Sequence, residues 1–415
     1  MSVFSLMFVS GNFMGTIFVS KDGQVLYEKS FGRAVIEWNV ANSNATVYHL
    51  ASLSKPFTAT AILQLEQQGK LSVQDPLSKY ISGFTGGNKI TLHHLLSHSS
   101  GIPNINNMPE YNTLSVSPQR LDSIINVFRS KPLDFEPGSI FSYSNSNYNV
   151  LAYIIEKVSG VTYQEFLKRN IFDVAGMSNT LHHGHALEII THMATGYKEA
   201  GRTEIQRAPY LDWSVKTGNG SICSTVEDLN RFDQALYSEK LLNLQSKAKM
   251  FAKYLGDVGY GWYIRPDGDR ERVYMSGRSP GFSTYYARYP KEKLCVLVLE
   301  NLYVPSAREI GQSLASIVFN TPYPQRKLAD DILSPDKIAE YKGRYEMDSS
   351  FFRPGYVLKI TEEKGKLICD LGDMLHDVDE EFILRSYWSI IRFQRNAKNH
   401  VEGILFDNSI GRKID

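Results

Sequence analysis

The chain has 415 residues, with 45 Lys and Arg against 44 Asp and Glu and a formal net charge of +1. Its basic residues are scattered and form no polybasic run, which argues against a nucleic-acid-binding or membrane-surface protein. The length predicts two domains, at least one of them large enough for a real core.

The N-terminal run Met1–Val9 is apolar but lacks a positive n-region and an evident small-residue cleavage site, and no stretch is long enough for a transmembrane helix. The sequence therefore reads as unexported, with the compartment left open. Gly15–Ser20 predicts a strand, Lys21-Asp22-Gly23-Gln24 a turn and Val25–Lys29 a second strand, a hairpin with Asp-Gly at its tip. Tyr48-His49-Leu50 then leads into Ala51-Ser52-Leu53-Ser54-Lys55-Pro56, and a run of helix formers continues to Gly69. Pro56 fits only the first turn of that helix. Ser52 and Lys55 are three apart and share a face. A serine hydroxyl is a poor nucleophile until a base takes its proton. A lysine one turn away can do so if burial or a positive neighbour keeps it partly neutral. The helix N-terminus adds N–H donors suited to a developing oxyanion.

Ile90–His98 predicts a short helix ended by Gly101 and Pro103. His94 and His98 have the spacing of a metal pair, but no third ligand or glutamate base is evident nearby, and a structural helix is the favoured reading. Asn104–Gln119 reads as an irregular surface loop, Leu121–Phe128 as a helix, and His182-His183-Gly184-His185 as a surface loop. Tyr143-Ser144-Asn145 precedes a predicted helix, Val150–Val158, stopped at Gly160. A phenolate beside an ammonium can act as general base, and an asparagine amide can hold a substrate carbonyl while fixing a lysine. Thr217–Thr225 is a Gly-rich turn without the Gly-Lys-Ser/Thr of a phosphate loop, followed by a helix capped at Ser224 or Thr225. The three cysteines, Cys223, Cys295 and Cys369, are far apart and odd in number, which predicts buried or free thiols rather than a disulfide framework or a metal knuckle.

Tyr260–Ile264, Arg272–Gly277, Ser283–Tyr289 and Leu294–Glu300 predict successive strands of an antiparallel sheet, closed by a helix over Ala307–Phe319. From Leu328 the texture changes. Six short, regularly spaced strands, Gly343–Met347, Tyr356–Thr361, Lys366–Leu371, Glu381–Leu384, Ser389–Phe393 and Val401–Phe406, predict a small all-β barrel or sandwich. The Pro-bearing stretch Thr321–Lys327 divides the chain into domains 1–327 and 328–415.

Read together, Ser52-x-x-Lys55, Tyr143-x-Asn145 and Ser276-Gly277 resemble the three motifs of the serine β-lactamase and penicillin-binding protein superfamily. The tyrosine makes the chain similar to its class C β-lactamase, DD-carboxypeptidase and esterase branch. Glu136-Pro137-Gly138, Tyr260-Gly261-Trp262 and Pro280-Gly281-Phe282 agree with it, and the likeness spans roughly residues 13 to 320. The resemblance implies an α+β fold: an antiparallel sheet flanked by helices, with an inserted all-helical lobe. A small lipocalin-like β-barrel follows, either binding a ligand or lying near the active site as a lid. It also implies a serine hydrolase acting through an acyl-enzyme on an ester, amide or peptide bond of a small-molecule or peptide substrate, with no metal or organic cofactor. Ser52 is then the nucleophile, Lys55 and Tyr143 share the acid–base work, and Asn145 holds the substrate carbonyl. The backbone N–H groups of Ser52 and Arg278 form the oxyanion hole.

In the family the third motif opens with Lys or His, a cation that helps bind a substrate carboxylate and tunes the tyrosine. Here it reads Met275-Ser276-Gly277, and Met275 donates nothing. The departure favours an uncharged ester, amide or D-amino-acid derivative over penicillins, with Arg278 as the candidate replacement cation. The alternative implied is a catalytically weak penicillin-binding or peptidoglycan-sensing protein.

Overall fold

The computed structural model describes residues 13–184, 188–200, 204–304, 306–322, 333–348, 351, 355–376, 381–384, 389–407 and 409–415. Two chain stretches read from sequence, Met1–Val9 and the inter-domain stretch from residue 323 on, lie outside the described residues.

The predicted hairpin is present as β1 (Gly15–Lys21) and β2 (Gln24–Phe31). After the short strands β3 (Arg33–Val35), β4 (Val40–Ala41) and β5 (Tyr48–His49), a 3-10 turn at Ala51–Ser54 runs into helix α1 (Lys55–Gln67). An inserted helical lobe follows, built from α2 (Leu92–Leu96), α3 (Glu110–Leu114), α4 (Leu121–Asn126), α5 (Asn145–Ser159) and α6 (Tyr163–Leu167). The chain then lays down β6 (Leu181–His182), β7 (Tyr197–Ala200), β8 (Glu204–Arg207) and β9 (Ile222–Ser224) before α7 (Val226–Tyr237) and α8 (Leu244–Met250). Four long strands return to the main sheet: β10 (Tyr263–Asp267), β11 (Arg270–Ser279), β12 (Phe282–Tyr289) and β13 (Leu294–Glu300), and α9 (Ser306–Phe319) follows.

The main sheet is antiparallel, ordered β10-β11-β12-β13-β1-β2. Strand β13 reads as a continuous apolar run up to Glu300 because both its faces are covered. Cys295, Leu297 and Leu299 of β13 point into the large core shared with α1 and the lobe, whereas Leu294, Val296 and Val298 point into a second core with Ile310 and Leu314 of α9. At the outer edge β2 leaves Val25, Leu26 and Tyr27 exposed.

The C-terminal part opens with α10 (Pro335–Tyr341), Pro at its first position and Ser334 as cap. Eight strands close into a barrel: β14 (Gly343–Met347), β15 (Val357–Glu363), β16 (Lys366–Cys369), β17 (Gly372–His376), β18 (Glu381–Leu384), β19 (Ser389–Arg395), β20 (Val401–Phe406) and β21 (Ser409–Lys413). Closure comes from β21 pairing with β14, Tyr345 opposite Lys413. Tyr341 and Phe393 stack in its core at 4.1 Å. Six of these strands follow from alternation; β17 and β21 do not, being rich in Gly and polar residues.

Three local expectations are corrected. The expected irregular loop Asn104–Gln119 contains a 3-10 turn at Ile105–Asn107 and helix α3. The Gly-rich turn at Thr217–Thr225 holds strand β9, which pairs with both β5 and β6. His182, expected in a surface loop, is buried at the end of β6, its Nε2 3.3 Å from Thr217 Oγ1; His185 of the same cluster lies outside the described residues.

Candidate active site

Ser52 lies in the turn between a strand and a helix. Ala51, before it, is held at φ +49°, a left-handed backbone that costs a non-glycine residue about 1–3 kcal/mol and persists only where its surroundings enforce it. Strand β9 supplies that enforcement. Leu50 N–H donates to Ile222 O at 2.8 Å, and Ile222 N–H donates to Ser54 Oγ at 3.0 Å. Ser52 is thereby turned out of the helix that buries Lys55.

Lys55 is 0% exposed. Its Nζ donates to Ser52 Oγ at 3.1 Å, to Asn145 Oδ1 at 2.9 Å and to the Asn219 carbonyl at 3.0 Å. Tyr143 Oη lies 2.8 Å from Ser52 Oγ. Five residues spread over the chain thus meet at one hydroxyl and one amine. Burial, with the charge of Lys216 as a second cause, pushes Lys55 well below the usual lysine range. Burial raises the Tyr143 phenol; Tyr263 adds to this and the hydrogen bond with Ser52 opposes it. Burial thus favours the neutral form of both groups, the free amine of Lys55 and the protonated phenol of Tyr143.

Asn145 is the first residue of α5, which begins five residues earlier than periodicity predicts. Its N–H donates to Asn104 Oδ1 at 3.2 Å. Ser144 N–H donates to His98 Nδ1 at 3.2 Å, and the His98 ring stacks on Tyr143 at 4.4 Å. Burial, then the nearby Lys55 charge, pushes His98 well below the usual histidine range, so a neutral ring positions the Tyr143 segment. His94 instead completes the cap of α2, where Thr91 N–H donates to its Nδ1 at 3.2 Å. The favoured structural reading of these two histidines agrees with those contacts.

The third motif lies on β11. Strand β10 pairs only with Arg270–Tyr274, so Met275–Ser279 keep one edge clear of β10. Met275 is 3% exposed and belongs to the main core, whereas Ser276 and Arg278 are half-buried. The Arg278 guanidinium lies 4.4 Å from the centre of the Tyr303 ring. An ideal Cβ on Gly277 would come within 3.0 Å of Ser52 N, which brings the strand directly against that amide. That amide opens the turn, where an N–H has no partner within the turn itself.

Asn219 and Lys216 are the contributors that sequence reasoning missed. Asn219 acts through a backbone carbonyl, which leaves no mark in residue type; Lys216 stands four residues after Asp212 in a mixed polar segment, where a lysine reads as an ordinary surface residue. A second cluster is built around His49, three residues before Ser52. His49 Nδ1 is 3.1 Å from Cys223 Sγ and His49 Nε2 is 3.3 Å from His183 Nδ1, with Trp213 stacked on the His49 ring at 3.4 Å. Each ring nitrogen of His49 thus faces a different neighbour. Cys223, Cys295 and Cys369 are all buried and free, as expected.

The β-lactamase family profile matches residues 13–318. Penicillin-binding protein 4* of Bacillus subtilis (strain 168) is 32% identical over 426 residues, covering 95% of this chain and 93% of the relative. Among solved structures, a penicillin-binding protein from Bacillus halodurans has a TM-score of 0.67 at 26% identity, covering 77% of this chain and 99% of its own. An octameric penicillin-binding protein homologue from Pyrococcus abyssi covers 99% of this chain and 98% of its own, with a TM-score of 0.70 at 24% identity, so the likeness of fold extends through the barrel. A profile match over most of the chain, joined to a relative similar along nearly its full length, places this protein in the β-lactamase family of serine hydrolases.

Proposed function

We propose that the protein hydrolyses an ester, amide or peptide bond through an acyl-enzyme on Ser52. The single observation that carries this reading is the buried Lys55 amine on the Ser52 hydroxyl, its two other contacts being the Asn145 and Asn219 oxygens. As an ammonium it fills all three with N–H donors. Once deprotonated it keeps the two carbonyl-type acceptors and turns its lone pair on the serine O–H. Burial and a like-charged neighbour favour that neutral form. Ser52 then attacks the substrate carbonyl, its proton passing to Lys55. Tyr143 keeps its proton at rest, stabilises the ionising serine oxygen and relays a proton to the leaving group. This division departs from an equally shared base. The N–H groups of Ser52 and Arg278 receive the oxyanion, and Asn145 holds both Lys55 and the substrate carbonyl. Water releases the acyl group by the same proton path in reverse.

The test is intact-mass detection of acylation in wild type and Ser52→Ala, using a penicillin, a cephalosporin and p-nitrophenyl acetate separately, with ester release followed in parallel. Ser52-dependent acylation followed by release is the expected result. A Ser52 adduct that is never released moves the reading to a penicillin-recognising protein, and absence of any Ser52-dependent adduct overturns it.

A further inference from the structure

Lys216 ends the 3-10 turn Trp213–Lys216 and is 5% exposed. Its Nζ lies 5.0 Å from the centre of the Tyr111 ring on α3. Among the described residues no carboxylate stands against it, and burial alone accounts for its being pushed down to about 8. A buried ammonium held only by an aromatic face is an uncompensated charge, and an anion placed beside it recovers much of the desolvation cost.

The side chain also has a defined course. An ideal Cβ on Gly220 would fall 3.5 Å from Lys216 Cβ, 3.6 Å from Lys216 Cδ and 3.6 Å from the Ala51 carbonyl carbon. The lysine stem therefore runs along one side of Gly220, whose other side faces the Ala51 carbonyl carbon next to Ser52. Its charge is felt at Lys55. Met275, at the family's usual cation position, is packed in the core, and Arg278 lies over Tyr303. Lys216 is thus a cation beside the nucleophile, on the wall formed by the Thr217–Ile222 segment and α3.

We propose that Lys216 is the anion-binding residue of the substrate cleft, so that the substrate bears a carboxylate directed at the Gly220 and Tyr111 wall rather than at strand β11. The inference rests on the acyl-enzyme reading of Ser52. It replaces the expectation of an uncharged substrate, which followed from Met275 alone.

The test compares mono-p-nitrophenyl esters of succinate, glutarate and adipate with the uncharged p-nitrophenyl alkanoates of matching chain length. Wild type is expected to prefer at least one acid member. Removing a charge-assisted contact is worth roughly 10- to 100-fold, so Lys216→Met should lower kcat/KM for that ester by about this factor beyond its effect on the neutral partner. Loss of the Lys216 charge raises Lys55 and slows both esters together, moving the acid limb of the pH profile to higher pH; the acid-to-neutral ratio removes that common factor. Lys216→Arg should restore part of the preference. Equal loss on both esters, or no acid preference in wild type, overturns the proposal. Calorimetry on Ser52→Ala separates it from the acyl-enzyme reading, with adipate and glutarate monoamides against the corresponding uncharged amides. If no ester acylates Ser52 but the acids still bind more tightly and Lys216→Met erases the difference, the anion site stands and the hydrolytic reading falls. If the acids show no advantage there, the anion site falls.

Discussion

Replacing Gly277 by alanine isolates the contact between β11 and the Ser52 amide. Gly277 is not in the left-handed backbone region, so alanine is conformationally acceptable and only space opposes it. The new methyl would sit 2.4 Å from both Leu50 O and Thr284 Oγ1 and 3.0 Å from Ser52 N. Ordinary contact begins near 3.4 Å. Strand β11 must therefore retreat by about 1 Å, and a misplacement of that size costs about 100-fold in rate. Neither Leu50 O nor Thr284 can yield freely, since Thr284 Oγ1 donates to Leu50 O at 2.8 Å and Leu50 is itself pinned to β9. Stability should fall by about 1–3 kcal/mol, the usual cost of overpacking. Acylation rate by stopped-flow p-nitrophenol release, alongside urea denaturation, separates the two effects. Acylation within about threefold of wild type, at a reduced urea midpoint, would show that β11 packs against Ser52 without shaping the oxyanion site and would refute the reasoning.

Tyr143→Phe removes the group that passes a proton to the leaving group, so acylation of Ser52 by an amide substrate, followed by intact mass, and its turnover should both slow by about 100-fold or more; unchanged turnover would remove Tyr143 from the proton path. Arg288 and Asp233 form a buried pair at 2.9 Å, joined by the Tyr286 hydroxyl at the same distance from Asp233. Arg288→Met should cost about 3–5 kcal/mol in urea denaturation by stranding the carboxylate, and adding Asp233→Asn should recover part of it. Burial pushes His182 down to about 3 from the ordinary histidine value, so the folded state binds fewer protons than the unfolded chain and stability must fall as pH drops below about 6.5. Relative to His182→Gln, wild type should lose about 1.4 kcal/mol per pH unit through that window, and parallel curves would contradict the assignment.

The parts of the site written in side chains at fixed spacing were legible. Ser52 and Lys55 are joined by one turn of chain, and the buried run of β13 has a composition that few other environments tolerate. Tyr143 and Asn145 became readable only beside a known family pattern, because a tyrosine and an asparagine in an Asn-rich stretch carry no periodicity. The Asn219 carbonyl was invisible in principle, since every residue has one. The strands β17 and β21 were missed for a related reason. Gly372-Asp373 reads as a turn and Ser409–Lys413 as a polar segment, and only hydrogen bonding to strands already in the barrel makes them extended. His182 was misplaced because a His-rich, Gly-containing segment looks solvated; its burial depends on Tyr163 and Thr217 arriving from elsewhere.

The pairing of β1 with β13, Gly15 opposite Glu300, sets a clock on the making of this protein. The hairpin β1–β2 is synthesised early, but the neighbour that buries Ile17 and Val19 follows roughly 280 residues later, on the order of 15–60 s at ordinary translation speeds. Throughout that interval an apolar strand waits with one edge unpaired, while α1 and the lobe helices have contacts nearer at hand. Helix α1 with Lys55 and the lobe with Asn145 are thus placed to gain shape before the sheet closes, with β11 reaching Ser52 among the last arrivals.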